Sequence, residues 1–205
     1  MKIESIKNVN ITLLFSGPIN HLLVSQQDLF GLFKTSDIEK DKHTFIEAPG
    51  LKVFILPTQQ KEIIFEANRI LVNNKTGKNP ENNELIVDLQ KLLGTNLLEK
   101  DKVVAYGFNY DVIATPSSGN FNVKDLIGEK ILANIAGIKK ADININFEQK
   151  GIKYTVGLNP LDENGQKFLI HLNAHFDILK LPDFEVFKKN FVEEYKNLEE
   201  ITQKL

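Results

Sequence analysis

The sequence contains no cysteine, no tryptophan, one methionine and a single arginine. The lack of cysteine excludes a disulfide framework, thiolate-bound zinc, iron–sulfur clusters and catalysis by a thiol. Any nucleophile in this protein is therefore an oxygen or an amine. We also find no phosphate-binding loop and no serine-nucleophile motif. We therefore expect neither a cofactor nor a metal, and the sequence favours a protein without enzymatic activity over an enzyme.

An excess of charge of one sign is also missing, since 25 basic residues stand against 27 acidic ones. Proteins that bind nucleic acid or anionic lipid usually present a basic face, and a net charge of −2 provides no such field. The first 15 residues hold only one short apolar run, at 11–15, which is too short for a signal peptide or a membrane span. We therefore expect a cytoplasmic protein whose partners include neither nucleic acid nor a membrane.

The residues that are present are those of a folded protein. Hydrophobic side chains make up 42% of the 205 residues, which is enough to fill a core. The length allows one large domain or two small ones.

An internal repeat is the most informative pattern in the sequence. Residues 25–31 and 122–128 share a capping residue (Ser25 or Asn122), an acid three positions later and a closing glycine, which predicts two helix starts. Residues 46–53 and 147–154 each consist of two apolar runs joined by a short segment that ends in glycine, which predicts two hairpins.

The strands that precede the two helix starts repeat as well. Each alternates apolar and polar residues in the same phase, which places four side chains per strand on a buried face. The two buried rows are Val9, Ile11, Leu13 and Phe15, and Tyr106, Phe108, Tyr110 and Val112.

Each half then continues with a predicted long strand and a closing helix. The strands span 62–72 and 167–179, and the helices begin after Pro80 and at Asp183. The last helix carries an aromatic stripe, which favours docking on its own sheet over a coiled-coil dimer. The sequence thus predicts an α+β fold in which a βαβββα unit occurs twice, at 1–97 and 98–205. We expect the two halves to pack as one globular unit, with largely antiparallel curved sheet and helices on one face.

The outward face of the second half is predicted to be polar. Alternation along 141–148 and 167–179 puts carboxylates, amides and two imidazoles opposite the core. His171 and His175 lie about 13 Å apart along a strand at ~3.3 Å per residue, so they cannot share one metal ion. The candidate ligand-binding residues are Asp142, Asn144, His171, Asn173, His175 and Asp177.

The matching outward face of the first half is predicted to be apolar. Exposed apolar patches usually mark an interface, although another element of the same chain could equally cover this one. The candidate interface residues are Phe45, Phe54, Leu56, Ile64, Ile70 and Val72.

Arg69 falls among the apolar residues of the predicted strand 62–72. A core-facing arginine needs a buried acceptor, for which Asp111 is a candidate. The alternative is a strand-end arginine whose head group reaches water.

Two functions fit these patterns. The leading hypothesis is a non-enzymatic binding protein that uses the apolar face of the first half for self-association, as in a homodimer, or for a protein partner. The alternative is an enzyme or a small-ligand-binding protein whose site is the polar set with His171, His175, Asp142 and Asp177.

Overall fold

The computed structural model describes residues 1–117, 141–162 and 166–205. The predicted helix start at 122–128 lies outside these residues. The first half of the described chain comprises β1 (Lys2–Phe15), α1 (Gln26–Phe33), β2 (Thr44–Ala48), β3 (Leu51–Leu56), β4 (Lys61–Glu66), β5 (Arg69–Asn74) and α2 (Leu85–Leu93). The second half comprises β6 (Val103–Thr115), β7 (Ile143–Gln149), β8 (Ile152–Pro160), β9 (Phe168–Asp177) and α3 (Phe184–Lys204).

The nine described strands form one sheet in the order β2-β3-β4-β5-β1-β6-β9-β8-β7, and every neighbouring pair is antiparallel. The predicted α+β class and antiparallel sheet are confirmed. The two longest strands, β1 and β6, pair at the centre and join the two halves. Helices pack on one face of the sheet, which leaves the other face without a described helix.

The predicted alternation of β1 and β6 is confirmed. All eight side chains of the two buried rows lie in the core, and Ile11 is directly opposite Phe108 in the ladder. Because opposite residues of an antiparallel pair point to the same face, the two rows form one continuous apolar surface under the helices.

The helix signals of the described residues are also confirmed. Ser25 caps α1 by accepting a hydrogen bond from the backbone N–H of Asp28, at 3.1 Å. The leucine-rich face of α2 is buried, and the helix ends at Gly94. Asp183 caps α3 by accepting from the N–H of Val186, at 3.1 Å. These side chains satisfy backbone donors that the first helical turn leaves without a partner.

The aromatic stripe of α3 docks on the central strands of the sheet. Phe191 is fully buried, and its ring centroid lies 5.4 Å from that of Phe108 and 5.5 Å from that of Tyr110. The Tyr110 hydroxyl donates to the backbone oxygen of Phe191 at 2.5 Å, so its buried polar end is satisfied. The stripe is therefore core, as predicted.

Glu194 is a buried carboxyl group on the same side of α3. One oxygen accepts from the Tyr154 hydroxyl at 3.3 Å and the other from Asn197 Nδ2 at 2.9 Å. Burial raises the pKa of Glu194 above its ordinary value, because the charged form loses its hydration. A carboxyl group with a raised folded-state pKa stabilises the fold below its unfolded-state pKa. That contribution is lost as the pH rises through the folded-state pKa.

We expect Glu194→Gln to stabilise the protein at pH 7 by about 1 kcal/mol and to flatten this part of its pH dependence. The amide keeps an acceptor for Asn197 and offers a donor to the Tyr154 oxygen. Urea unfolding followed by circular dichroism between pH 4 and pH 8 measures the effect. Glu193→Gln, at an exposed position one residue earlier on the helix, is the matched control and should change little. An unchanged slope in Glu194→Gln contradicts the prediction.

Both predicted hairpins are present. Gly50 closes the turn between β2 and β3 with φ +71°, and Gly151 closes the turn between β7 and β8 with φ +76°. Only glycine adopts such angles without a steric cost, which is why the pattern was visible in the sequence.

The predicted single strand 62–72 is wrong. The segment is a hairpin in which β4 and β5 pair tightly, with Glu66 opposite Arg69 across the turn residues Ala67 and Asn68. Arg69 is exposed, and its Nε donates to Glu66 Oε2 at 2.6 Å. It therefore follows the alternative interpretation of a strand-end arginine, and Asp111 contacts other residues. The first half thus contributes five strands to the sheet and the described second half four.

Candidate functional site

The helix-free face of the sheet carries a line of polar side chains that crosses six strands. Each of these residues is directly opposite the next in the ladder, so all of them point to the same face. We call this line the asparagine row: Asn73 on β5, Asn10 on β1, Asn109 on β6, Asn173 on β9, Thr155 on β8 and Asn146 on β7.

Hydrogen bonds link the centre of the asparagine row. Asn109 Nδ2 donates to Asn10 Oδ1 at 2.8 Å, and Asn173 Nδ2 donates to Asn109 Oδ1 at 2.6 Å. At the outer end, the Thr155 hydroxyl donates to Asn146 Oδ1 at 2.7 Å. Asn10 and Asn109 are buried, and a buried amide is tolerated only when its donor and acceptor find partners. The row is thus held in place by its own hydrogen bonds.

A second row, centred on His171, runs beside the asparagine row. His171 Nδ1 lies 2.7 Å from Asp111 Oδ1, and Asn8 Nδ2 donates to Asp111 Oδ2 at 3.3 Å. A carboxylate only accepts hydrogen bonds, so Nδ1 donates to Asp111, which leaves Nε2 as the second hydrogen-bonding atom of the ring. No described residue forms a hydrogen bond with His171 Nε2, which is the atom that a ligand could use.

Two glycines let neighbouring polar side chains pack directly against the backbone. A Cβ atom at Gly157 would lie 3.0 Å from Asn144 Oδ1 and 3.5 Å from His171 Cβ. A Cβ atom at Gly107 would lie 3.3 Å from Asn173 Nδ2. The missing side chains therefore let the Asn144 amide pack over Gly157 next to His171 and the Asn173 amide pack over Gly107. We call the asparagine row and the His171 row together the polar strip.

His175, Asp177 and Lys153 form a separate cluster at one end of β9. Asp177 Oδ1 is 3.0 Å from His175 Nε2, and Asp177 Oδ2 is 2.5 Å from Lys153 Nζ. The hydrogen bond from Lys153 and that from His175 lower the pKa of Asp177. His171 and His175 thus each have a carboxylate partner. They differ in the nitrogen that is used: Asp111 contacts Nδ1 of His171, whereas Asp177 contacts Nε2 of His175.

Five of the six predicted ligand-binding residues lie on one face of the sheet, and Asp142 lies just outside the strands. Asn144, His171, Asn173, His175 and Asp177 all lie on the helix-free face. Asp142 is exposed just before β7 begins. Within the described ranges, no three side chains of the metal-ligating types lie close enough together to hold an ion.

The predicted apolar interface is wrong in its residues. Phe54, Leu56, Ile70 and Val72 are at most 2% exposed and face the helices in the core, and Phe45 packs against that core. Ile64 alone lies on the helix-free face, because it is opposite Val53 and Leu71 rather than Phe54 and Val72.

The error has a physical cause in the position of the hairpins. One strand, β9, separates the β7–β8 hairpin from β6. Two strands, β4 and β5, separate the β2–β3 hairpin from β1. Equivalent positions in the two hairpins consequently face opposite sides: Thr155 points away from the helices, and its sequence match Phe54 points toward them.

An apolar row nevertheless exists on the helix-free face of the first half, formed by the other phase of the same strands. It consists of Ile46, Val53, Ile64 and Leu71, which are opposite one another across β2 to β5. Ile46 is 46% exposed, and Val53 is buried beneath its neighbours. We call this line the apolar row.

Sequence reasoning missed the inner half of the polar strip, namely Asn8, Asn10, Asn109, Gly107 and Gly157, and gave Asp111 a different role. A usable signal was present in the strands that were predicted correctly. Asn8, Asn10 and Thr12 alternate with one buried row, and Gly107, Asn109 and Asp111 alternate with the other. This alternation predicts that the helix-free face of β1 and β6 is polar.

Comparison with known proteins gives no match to a family model and none to a curated protein. In addition, none of the described helices is both long enough and apolar enough to cross a membrane.

Proposed function

We propose that this protein is a non-enzymatic binding protein that holds a small neutral polar ligand on the polar strip. The observation that carries the proposal is the imidazole of His171, which Asp111 fixes through Nδ1 while Nε2 is left without a described partner. An oriented imidazole beside the Asn144 amide, which packs over Gly157, is a preorganised hydrogen-bonding group, and preorganised groups bind at low entropic cost.

The charge around the strip supports a neutral ligand over an anionic one. Asp111, Asp177 and Glu148 all lie on this face, and Lys153 is already paired with Asp177. An anion would meet these carboxylates at close range. The exposed amide of Asn144 and the half-buried amide of Asn173 offer both donors and acceptors, which suit hydroxyl and amide groups.

The proposal is tested with ¹H–¹⁵N NMR spectra and a fixed set of neutral probes, namely glucose, N-acetylglucosamine, nicotinamide and uridine at millimolar concentration. We expect at least one probe to shift the signals of His171 and Asn173. His171→Ala should weaken the affinity for that probe about tenfold, since it removes the free Nε2 and leaves a polar group of the ligand unpaired.

His175→Ala is the matched control, because it removes an imidazole from the same face whose nitrogen already serves Asp177. We expect it to change the affinity less than about threefold. If none of the four probes shifts a signal of the polar strip, or if His175→Ala weakens binding as much as His171→Ala, the proposal is wrong.

Self-association through the apolar row is a second candidate function. It is favoured by the exposure of Ile46, which continues a line of apolar side chains with Ile64 and Leu71. If the apolar row is the interface, the substitution Ile46→Lys should dissociate the dimer.

We also propose that residues 1–97 and 98–205 descend from one duplicated unit and that the protein is cytoplasmic. The duplication is supported by the place of β1 and β6, which open the two halves, pair with each other and bury their side chains in the same phase. The hairpin β4–β5 then gives the first half one strand more than the described second half, which moves its β2–β3 hairpin outward.

A further inference from the structure

Among the described strands, β7 forms one edge of the sheet. It pairs with β8 on one side, and no described strand pairs with it on the other. All of its residues after Ile143 are exposed, including two large apolar side chains, Ile145 at 48% and Phe147 at 37%. An edge of this kind offers unpaired backbone N–H and C=O groups to another strand.

The usual protections of an edge strand are sparse in β7. It spans seven residues, contains no proline or lysine, and carries Glu148 as its one charged residue. The opposite edge, β2, has five residues, and its Glu47 forms an ion pair with Lys52 at 2.8 Å. Proteins blunt exposed edges with short length, charge and proline, so β7 is the better template for strand addition.

The sequence around β7 is complementary to itself in the antiparallel direction. A two-fold axis through Asn146 and perpendicular to the sheet places Ile145 opposite Phe147 of the partner subunit. The same axis places Asp142 opposite Lys150 of the partner subunit, and the two-fold symmetry makes this pair occur twice. The exposed apolar side chains of Ile145 and Phe147 thus meet, and each end of the ladder brings together opposite charges, whereas Ile143 lies opposite the polar Gln149.

The faces of the two copies also agree. Even-numbered residues of β7 lie on the helix-free face, so Asn146 would meet its own copy and continue the asparagine row across the axis. Helix α3 contacts β1, β6 and β9 and reaches β8 through the hydrogen bond between Tyr154 and Glu194, so β7 alone lies between it and the edge. The two β7 strands, at a spacing of about 4.8 Å, would then lie between the α3 helices of the two copies.

We propose that two copies of this chain associate through their β7 strands, antiparallel and in register about Asn146, to form one continuous sheet. Such an isologous contact closes on itself, so it gives a dimer and not a fibre. The proposal does not depend on the ligand of the polar strip.

Sedimentation equilibrium of the full chain tests the proposal. We expect the protein to be dimeric, and we expect Ile145→Lys to weaken dimerisation at least tenfold by placing a charge against Phe147 of the partner subunit. Ile46→Lys is the matched control: it introduces the same residue at a similarly exposed isoleucine on the opposite edge strand, and it should leave the dimer intact. If Ile46→Lys dissociates the dimer and Ile145→Lys does not, the apolar row is the interface and the proposal is wrong.

A charge exchange tests the register without touching an apolar residue. Asp142 and Lys150 are both exposed, and aspartate tolerates the positive φ that Lys150 adopts. Asp142→Lys and Lys150→Asp should each weaken the dimer several-fold at low salt, and the double variant should restore it. Circular dichroism checks that each variant is folded. A wild-type protein that stays monomeric at millimolar concentration, or a double variant no tighter than the singles, overturns the proposal.

Discussion

Lys61→Met is expected to lower the free energy of unfolding by about 3–5 kcal/mol, because it leaves a buried carboxylate without its cation. Lys61 begins β4, and its side chain is 9% exposed. Its Nζ lies 2.8 Å from Asp88 Oδ2 and 2.7 Å from Glu84 Oε2. The Asp88 side chain on α2 is only 2% exposed, so water cannot replace the lost partner.

The pH dependence of this loss has a defined sign. Burial works against the charge of Lys61, but the hydrogen bonds with Asp88 and Glu84 outweigh it and raise the pKa of the lysine. Burial also raises the pKa of Asp88, and Lys61 offsets only part of that effect. Without Lys61 the pKa of Asp88 rises further. The variant then gains stability at low pH, where Asp88 is protonated, and loses it as the pH rises through that pKa. We therefore expect a smaller destabilisation at pH 5 than at pH 8.

Urea unfolding followed by circular dichroism at both pH values measures this effect. Glu84→Gln is the control, because it removes the other carboxylate of the cluster, which is largely exposed, and should cost less than about 1 kcal/mol. The double variant Lys61→Met with Asp88→Leu should regain most of the loss, since an apolar pair can replace a buried ion pair. An equal loss in the single and double variants contradicts the account.

The parts of the fold that follow from local patterns were predictable from the sequence. The alternation in β1 and β6 fixes which side chains are buried, since a strand has a period of two residues. The capping residues Ser25 and Asp183 mark helix starts because few other residues satisfy the free N–H groups there. Gly50 and Gly151 mark turns because their backbone angles exclude most other residues.

The hairpin β4–β5 was not predictable by the same rules. Its turn residues Ala67 and Asn68 do not adopt positive φ, so the turn needs no glycine and leaves no strong signal. The flanking residues read as one alternating strand of apolar side chains. Missing a two-residue turn removes one strand from the count and inverts the assignment of every face beyond it. That single error produced the wrong interface residues and placed Arg69 in a row that the pattern assigns to the core.

The candidate site was predictable in type but not in arrangement. Alternation in β7 and β9 shows that Asn144, His171 and Asn173 share a face. It does not show that β6 lies beside β9, because strand order depends on contacts between residues far apart in the sequence. The pairing of Asp111 with His171 and the line from Asn10 through Asn109 to Asn173 depend on that order. They appear only when β1, β6 and β9 are brought side by side.

The hydrogen-bonded centre of that line should be a large contributor to stability. Asn109→Ala removes the donor that serves Asn10 Oδ1 at 2.8 Å and the acceptor that serves Asn173 Nδ2 at 2.6 Å. Both neighbours then keep a polar atom that water reaches poorly, because Asn10 is buried and Asn173 is half-buried. At about 1–3 kcal/mol for each polar group left unpaired, we expect a total loss of about 2–4 kcal/mol.

Asn146→Ala provides the matched control, because it makes the same substitution at the exposed end of the same row. There water can replace the hydrogen bond from Thr155, so the loss should stay below about 1 kcal/mol. Urea unfolding of the two variants under identical conditions compares them directly. Similar losses would mean that the amides at the centre of the row are as well solvated as those at its end. The row would then be a line of independent surface residues, and its centre could not hold Asn173 rigidly beside His171.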